Sequence, residues 1–468
     1  MHAYVECQSV GIRCFLVTRL LLVSVVLGLV LVFLGADSAV CQQVMVRQGT
    51  SESIDQNTKA AIIDSVSKAL NDVYVFPDVA RKMEKQIRHN LKTKAYQNLT
   101  TYDDFANQLS ADLFEIAKDK HLSVRYSPEE SPFEVAARDS LTEDEEREIR
   151  ERLAYMNFGF MRLERMPGNV GYLDLQGFND ARWGGETAVA AMNFLANCDA
   201  IIIDLRNNGG GSPSMIQLIS SYFFDEPVHL NSFYIRDKDE TKQFWSQAYV
   251  EGPRMTDVDL YVLTSSRTFS AAEEFTYNMK NLERATIVGE TTGGGAHPVR
   301  FVRFADLKVS MSLPFGRAVN PITGTNWEGT GIEPHIEVPE SEALATAHLD
   351  AMAKLAERAT DEERKQDLKW AIATVTAGNN PVSLDPATMQ KYAGVYGPRS
   401  IICEGGDLYY EREGRPRFKM IPMSEDTFMF DGIGYFRLKV ETDDTGRPTA
   451  VVGIYKDGRT DRNERTGE

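Results

Sequence analysis

The sequence predicts an α/β core flanked by a helical N-terminal domain and a small all-β C-terminal domain. Three observations point that way. Apolar residues recur at three- and four-residue spacing in the first part of the chain, strand-like and helix-like runs alternate from about residue 157, and short β-like runs separated by Gly, Asp and Pro fill residues from about 383 to 468. The expected boundaries are 1–41 for a signal peptide, 42–130 for the helical domain, 131–380 for the core with its trailing helices, and 381–468 for a small β-barrel-like domain.

At the N-terminus, Arg13 and Arg19 precede an uncharged apolar run from Leu20 to Gly35, and small residues in "AVC" lead to Gln42. This is the pattern of a secretory signal, so the protein is expected to be exported, periplasmic or extracellular. The run is shorter than the roughly 20 residues of a spanning helix. Membrane attachment is expected only if the segment is retained or Cys41, in "SAVC", is lipidated. Beyond the leader only Cys198 and Cys403 remain, too few for a disulfide framework or a paired-cysteine metal site.

From 58 to 76, Ile62, Ile63, Val66, Ala69, Leu70 and Val73 line one helical face, which Pro77 breaks. Phe105, Leu109, Leu113 and Ile116 repeat the pattern, with Thr101 and Asp104 placed to cap it. The period changes to two in "HLSVRYS", which puts His121 at a helix-to-strand corner. The charge run 142–153 reads as a solvated helix, with Glu143–Arg147, Glu146–Arg150 and Glu148–Arg152 at i,i+4 spacing.

In the core, "NVGYLDL", "AIIIDL", "DLYVLT" and "ATIVGE" read as strands. Between them, "TAVAAMNFLANC", "SMIQLISSYFF" and "SAAEEFTYNMKNL" read as helices. This order predicts a largely parallel, buried sheet with ligands beyond the carboxyl ends of its strands. The charged stretch "SEALATAHLDAMAKLAERATDEERKQDLKWAIATV" supplies the trailing helices. A formal charge of -17 over 468 residues argues against nucleic acid, whose phosphates need a basic surface.

Chemistry can be carried at the strand-to-helix turn "SSRTFSAAEEF". Ser270 with Glu273 three residues on is a capping box. The same position aims a hydroxyl from the sheet edge toward a helix N-terminus, which favours developing negative charge. Gly-x-Ser-x-Gly is absent, so the α/β-hydrolase elbow is disfavoured. A nucleophile needs a base, and of seven histidines His121 and His297 lie in turn-like contexts near Ser or Gly. "DLRNNGGGSP" offers Gly209, Gly210 and Gly211 for an oxyanion hole or a plain turn, without the Walker Gly-Lys-Ser/Thr of a phosphate cradle. Two more glycine turns, "GETTGGGAHP" and "NWEGTGIEPHIEVP", follow, and the second carries Glu328.

In chain order, "DKHLSV", "DLRNNGGG", "TSSRTFSAAEEF", "GETTGGGAHP" and "EGTGIEPHIEVP" resemble the motifs of the C-terminal-processing and tricorn-type serine peptidases. The nearer resemblance is to the subgroup related to interphotoreceptor retinoid-binding protein, whose helical N-terminal domain is similar to the segment from "YVFPDVARKMEKQIR" to "DKHLSV". The resemblance covers about residues 55 to 345. It implies a ClpP/crotonase-like β-α-β spiral and a serine peptidase acting on peptide or protein without metal or cofactor. Ser270 would be the nucleophile, His121 the general base and Glu328 the carboxylate that orients it. Backbone N–H groups of Gly210, or of Gly209, and of Ala271 would hold the oxyanion. His297, from its own turn-like context, is a further candidate oxyanion or binding residue. Gly295 stands where the processing peptidases carry a catalytic Lys, and Lys120 where the tricorn type has Ser. No segment resembles a PDZ domain, and the final module resembles the lipocalin-like β-domain of some bacterial hydrolases. The rival readings are a carrier of retinoid- or lipid-like ligands on the same fold, and an inactive peptide-binding module.

Overall fold

The computed structural model describes residues 51–136, 138 and 140–467. The leader, with Cys41, lies outside them.

Helices α1 (Gln56–Val73), α2 (Pro77–Lys92) and α3 (Tyr102–Ala117) build the N-terminal domain. Asp55 caps α1 by accepting from Thr58 N–H at 2.7 Å, and Thr101 caps α3 by accepting from Asp104 N–H at 3.2 Å. Pro77 ends the first apolar run as expected, but it also starts α2, because a missing N–H costs nothing at a helix's first position. Ile62, Ile63, Val66, Leu70, Phe105, Leu109 and Leu113 are fully buried together. Strand β1 (Ser123–Tyr126) follows His121 and pairs antiparallel with β10 (Val309–Pro314), which pairs with β9 (Val299–Phe304). Val309, Met311 and Leu313 thereby join the helical domain's core. That core is closed by chain far beyond the boundary at 130 that composition suggests.

After α4 (Pro132–Ala136), the charge run forms α5 (Glu143–Tyr155) behind a Thr142–Glu145 capping box. Arg147 pairs with Asp144 at i,i+3, and Arg138 reaches Glu145.

The core sheet has the order β12-β8-β7-β4-β3-β2. Its members are β2 (Phe160–Met166), β3 (Val170–Leu175), β4 (Ala200–Asp204), β7 (Asp259–Thr264), β8 (Ala285–Gly289) and β12 (Ile336–Glu337), parallel except for the β2–β3 pair. Helices α6 (Ala181–Leu195), α7 (Pro213–Ser220) and α8 (Ala271–Asn281) make the crossovers. A small sheet of β5 (His229–Ile235), β6 (Glu240–Trp245) and β11 (Gly316–Val319) stands beside it.

Period-two alternation decides which side chains face which layer. Leu173, Ile201, Ile203, Val262 and Ile287 pack under α6, α7 and α8. Tyr172, Ile202, Tyr261, Leu263 and Val288 face α9 (Glu340–Arg358) and α10 (Glu362–Asn379). Ala343, Ala347 and Ala351, at i,i+4 spacing, let α9 lie close on the sheet. β4 is buried at every residue, as a strand covered on both faces must be.

After α11 (Pro386–Tyr392) come β13 (Gly394–Tyr396), β14 (Arg399–Glu404), β15 (Asp407–Arg412), β16 (Phe418–Pro422), β17 (Thr427–Phe430), β18 (Ile433–Thr442), β19 (Pro448–Tyr455) and β20 (Thr460–Glu464). They pair antiparallel in sequence order, and a bridge from Val395 to Gly467 draws the ends together into a near-barrel. Tyr396, Phe428, Phe430, Phe436 and Leu438 fill it. Among the described residues no helix is long and apolar enough to cross a membrane, and Cys198 and Cys403 are both free.

Candidate active site

The loops after β4, β7 and β8 meet at the carboxyl edge of the sheet, where parallel α/β sheets place their ligands. Backbone and side-chain hydrogen bonds tie them together. Phe269 N–H donates to Asn208 O at 3.0 Å, Thr268 Oγ1 to Leu205 O at 2.8 Å, and Gly293 N–H to Thr268 O at 2.9 Å.

Ser270 sits where β7 has ended and α8 begins, with φ 55° and ψ -120°. This is positive-φ backbone that side-chain-bearing residues avoid, costing about 1–3 kcal/mol. Surrounding bonds hold it there. The fully buried carboxylate of Glu273 accepts from Ser270 N–H at 2.9 Å, Gly294 N–H at 2.6 Å, Gly295 N–H at 2.8 Å and Thr292 Oγ1 at 2.5 Å. Glu273 is therefore more than a cap: it fastens the second glycine turn to the start of α8. Burial pushes its carboxyl up, and the hydrogen bonds from Thr292, Gly295, Gly294 and Ser270 oppose that rise.

Gly210 lies against Ser270, and a Cβ on it would stand 2.8 Å from Ser270 Cβ and 3.0 Å from Ala271 N. Its N–H is not open as expected. It donates to Asn208 Oδ1 at 2.9 Å in an Asx turn. Among the described residues, the N–H groups of Gly209 and Ala271 make no hydrogen bond. Of the two glycines left open by the sequence, Gly209 has the free donor and Gly210 the close contact.

His121 comes from the corner before β1. Its ring lies on Phe269, the residue preceding Ser270, with centroids 4.6 Å apart. A Cβ at Gly295 would meet Phe269 Cζ at 2.2 Å and His121 Cε1 at 2.6 Å, so no side chain fits where the processing peptidases place Lys. Neither ring nitrogen of His121 has a hydrogen-bond partner, and burial pulls the imidazole down to about 4. Lys120, its neighbour, donates to Gly293 O at 2.5 Å.

Glu328 does not bond His121 as expected. Its Oε2 accepts from Ala296 N–H at 2.6 Å and lies 3.6 Å from His297 Nδ1. His297, 4% exposed, is 2.7 Å through Nδ1 from Oδ2 of Asp119, whose Oδ1 accepts from His121 N–H at 3.0 Å. Asp119 thus links the two histidines. Burial pushes Glu328 up to about 7, aided by the charge of Asp119. Burial lowers His297, but the hydrogen bond and charge of Asp119, with the charge of Glu328, raise it more. Asp119, His297 and Glu328 place donor atoms within 4.8 Å of one another, the one such group among the described residues that could hold a metal ion, although His297 Nδ1 is already engaged by Asp119.

The model of peptidase family S41 matches residues 169–338, and that of the N-terminal domain of Peptidase_S41 in eukaryotic IRBP matches residues 56–158. The chain belongs to peptidase family S41. Solved structures similar to this S41 chain include a putative peptidase from Parabacteroides merdae, at 17% identity over 61% of this chain and 90% of that one, with TM-score 0.42. The tricorn protease matches at 14% identity over 64% of this chain and 37% of its own, with TM-score 0.41. The photosystem II D1 C-terminal processing protease matches at 21% identity over 36% of this chain and 42% of its own, with TM-score 0.30. The match thus spans less than half the length of the last two.

In this S41 peptidase, sequence reasoning singled out Ser270, His121, His297 and Glu328 but passed over Asp119 and Asn208. Asp119 stands in the quoted "DKHLSV", yet its partner His297 is distant in sequence and no local pattern joins them. Asn208 is fully buried, its amide donating to Leu175 O at 2.8 Å while its oxygen takes Gly210 N–H.

Proposed function

We propose that this S41 serine peptidase is exported and cleaves peptide bonds with Ser270 as nucleophile and His121 as general base. The strained Ser270 backbone carries the reading, because such conformations persist where function requires them. Ser270 Oγ attacks the scissile carbonyl carbon as His121 takes its proton. The oxyanion is met by the open N–H groups of Ala271 and Gly209 and the positive end of α8. The imidazolium then gives the proton to the departing amine, leaving an ester on Ser270 that water hydrolyses with His121 as base. The side chain of His121 rests on Phe269, one residue from the hydroxyl, and catalytic hydrogen bonds commonly tighten only with substrate in place. Asp119 fixes the His121 backbone, and Glu328 acts through His297 and Asp119 as a positioning residue.

A fluorophosphonate probe tests the assignment. It should label the wild type and His121-dependent labelling should fall roughly 10²–10⁴-fold in rate in His121→Ala. Ser270→Ala should not label at all, and persistent labelling of that variant would remove Ser270 from the role. Export rests on the leader, and the mature protein recovered outside the cytoplasm should begin near Gln42.

A further inference from the structure

The two asparagines of "RNNGGG" part company in the fold. Asn207 is exposed, and its oxygen accepts from Arg267 Nε at 3.2 Å and Nη2 at 2.9 Å. Asn208 is fully buried, and every polar atom of it is bonded. Its Nδ2 donates to Leu175 O at 2.8 Å, and its Oδ1 accepts from Gly210 N–H at 2.9 Å. Its backbone O accepts from Phe269 N–H at 3.0 Å, and its own N–H donates to Leu205 O at 3.0 Å.

One residue thereby ties together the end of β3, the glycine turn and the residue immediately before Ser270. A carbonyl and an N–H must be met at once, away from water. An amide does both, whereas an ionised carboxylate only accepts. The glycine it fixes, Gly210, is the one that abuts Ser270 and Ala271 N. At the far end of the turn the fastening is main chain: Phe178 N–H donates to Gly210 O at 2.9 Å, and Ser212 N–H to Phe178 O at 2.6 Å. At the near end it is the Asn208 side chain, which a substitution can remove.

We propose that Asn208 is a positioning residue for the oxyanion pocket, its amide holding the glycine turn in place against Ser270 and the start of α8. Oxyanion donors stabilise a transition state only when they are set in place before the charge develops. A turn released to shift loses that stabilisation while substrate still binds. The role rests on Ser270 being the nucleophile, and the experiment separates the two.

Inactivation of the full chain by a fluorophosphonate yields two constants. KI reports reversible binding of the probe. The rate constant kinact reports the step in which Ser270 Oγ bonds phosphorus and fluoride leaves, with the phosphoryl oxygen in the oxyanion position. Asn208→Ala should lower kinact roughly 10²-fold and leave KI within about twofold. Asn208→Ser keeps a hydroxyl for Gly210 N–H but is too short for Leu175 O, so its kinact should fall between. It decides the matter if Asn208→Ala fails to fold. Asn207→Ala, one residue away and exposed, should keep the wild-type kinact. The proposal is overturned by an unchanged kinact in a folded Asn208 variant, by a rise in KI that accounts for the whole loss, or by an equal loss in Asn207→Ala. Those results with the wild type labelled at Ser270 remove this role alone. A wild type that is not labelled at Ser270 removes the nucleophile and this role together.

Discussion

Burial pulls the His121 imidazole down to about 4, against the charge of Asp119, which raises it, and with that of His297, which lowers it further. The neutral ring is the form that can accept a proton, and it is lost only as pH falls through that value. The kcat/KM for a peptide substrate should therefore stay level from pH 8 down to about 5, where an ordinary imidazole would already be protonated below about 6.5. An acid limb centred at 6.5 or higher would contradict a base buried in this way. Glu328 titrates in the opposite setting. Its folded value of about 7 exceeds the ordinary 4.5, so the folded protein binds more protons across that window and loses stability as pH rises through it. His297, also raised, adds in the same direction. Glu328→Gln keeps an oxygen for Ala296 N–H but removes the titration. Its melting temperature should fall less between pH 5 and pH 8 than that of the wild type. Equal slopes would show that the carboxyl is not protonated in this range.

Helix α8 is the element on which the site is built. Its third residue, Glu273, accepts four hydrogen bonds, three of them from backbone N–H groups. Of these four, only the bond from Ser270 N–H belongs to the capping box. The bonds to Thr292, Gly294 and Gly295 fix a separate loop, the one that presents Gly295 to the His121–Phe269 ring pair. Glu273→Ala leaves those N–H groups buried without acceptors, each at about 1–3 kcal/mol. Urea denaturation should show a loss of about 3 kcal/mol or more. Glu273→Gln, with one acceptor oxygen in place of two, should fall between it and the wild type. A loss within about 0.5 kcal/mol for Glu273→Ala, the size of an ordinary surface change, would mean that the loop does not depend on this carboxylate.

For the molecule as a whole, the N-terminal helices and the core are joined by the β1–β10 pairing, which carries His121 to the sheet edge. A chain that starts at residue 131 would lack β1 and His121, the proposed base. It would also expose Val309, Met311 and Leu313, which are fully buried against the helical domain. Exposing each such side chain costs about 1.5–3 kcal/mol. Such a truncated chain should be poorly soluble and should not react with the fluorophosphonate probe. A soluble, labelled product would show that the core holds its site without the helical domain.

By itself the sequence determined the three-part architecture, because period and turn chemistry are local: the apolar face through Leu70, the buried run at Ile201 to Ile203, and the punctuated strands after Gly394 can each be read within a few residues. It also marked Ser270, since strand, turn and helix start are adjacent in the chain. The tertiary structure alone decided what those residues touch. Only folding pairs Asp119 with His297 across 178 positions, seats Glu328 beside that pair rather than beside His121, and turns Gly210 N–H toward Asn208. Hydrogen bonds between distant segments are fixed by how loops converge at the sheet edge, and the periodicity of a single segment carries no record of its partner's register.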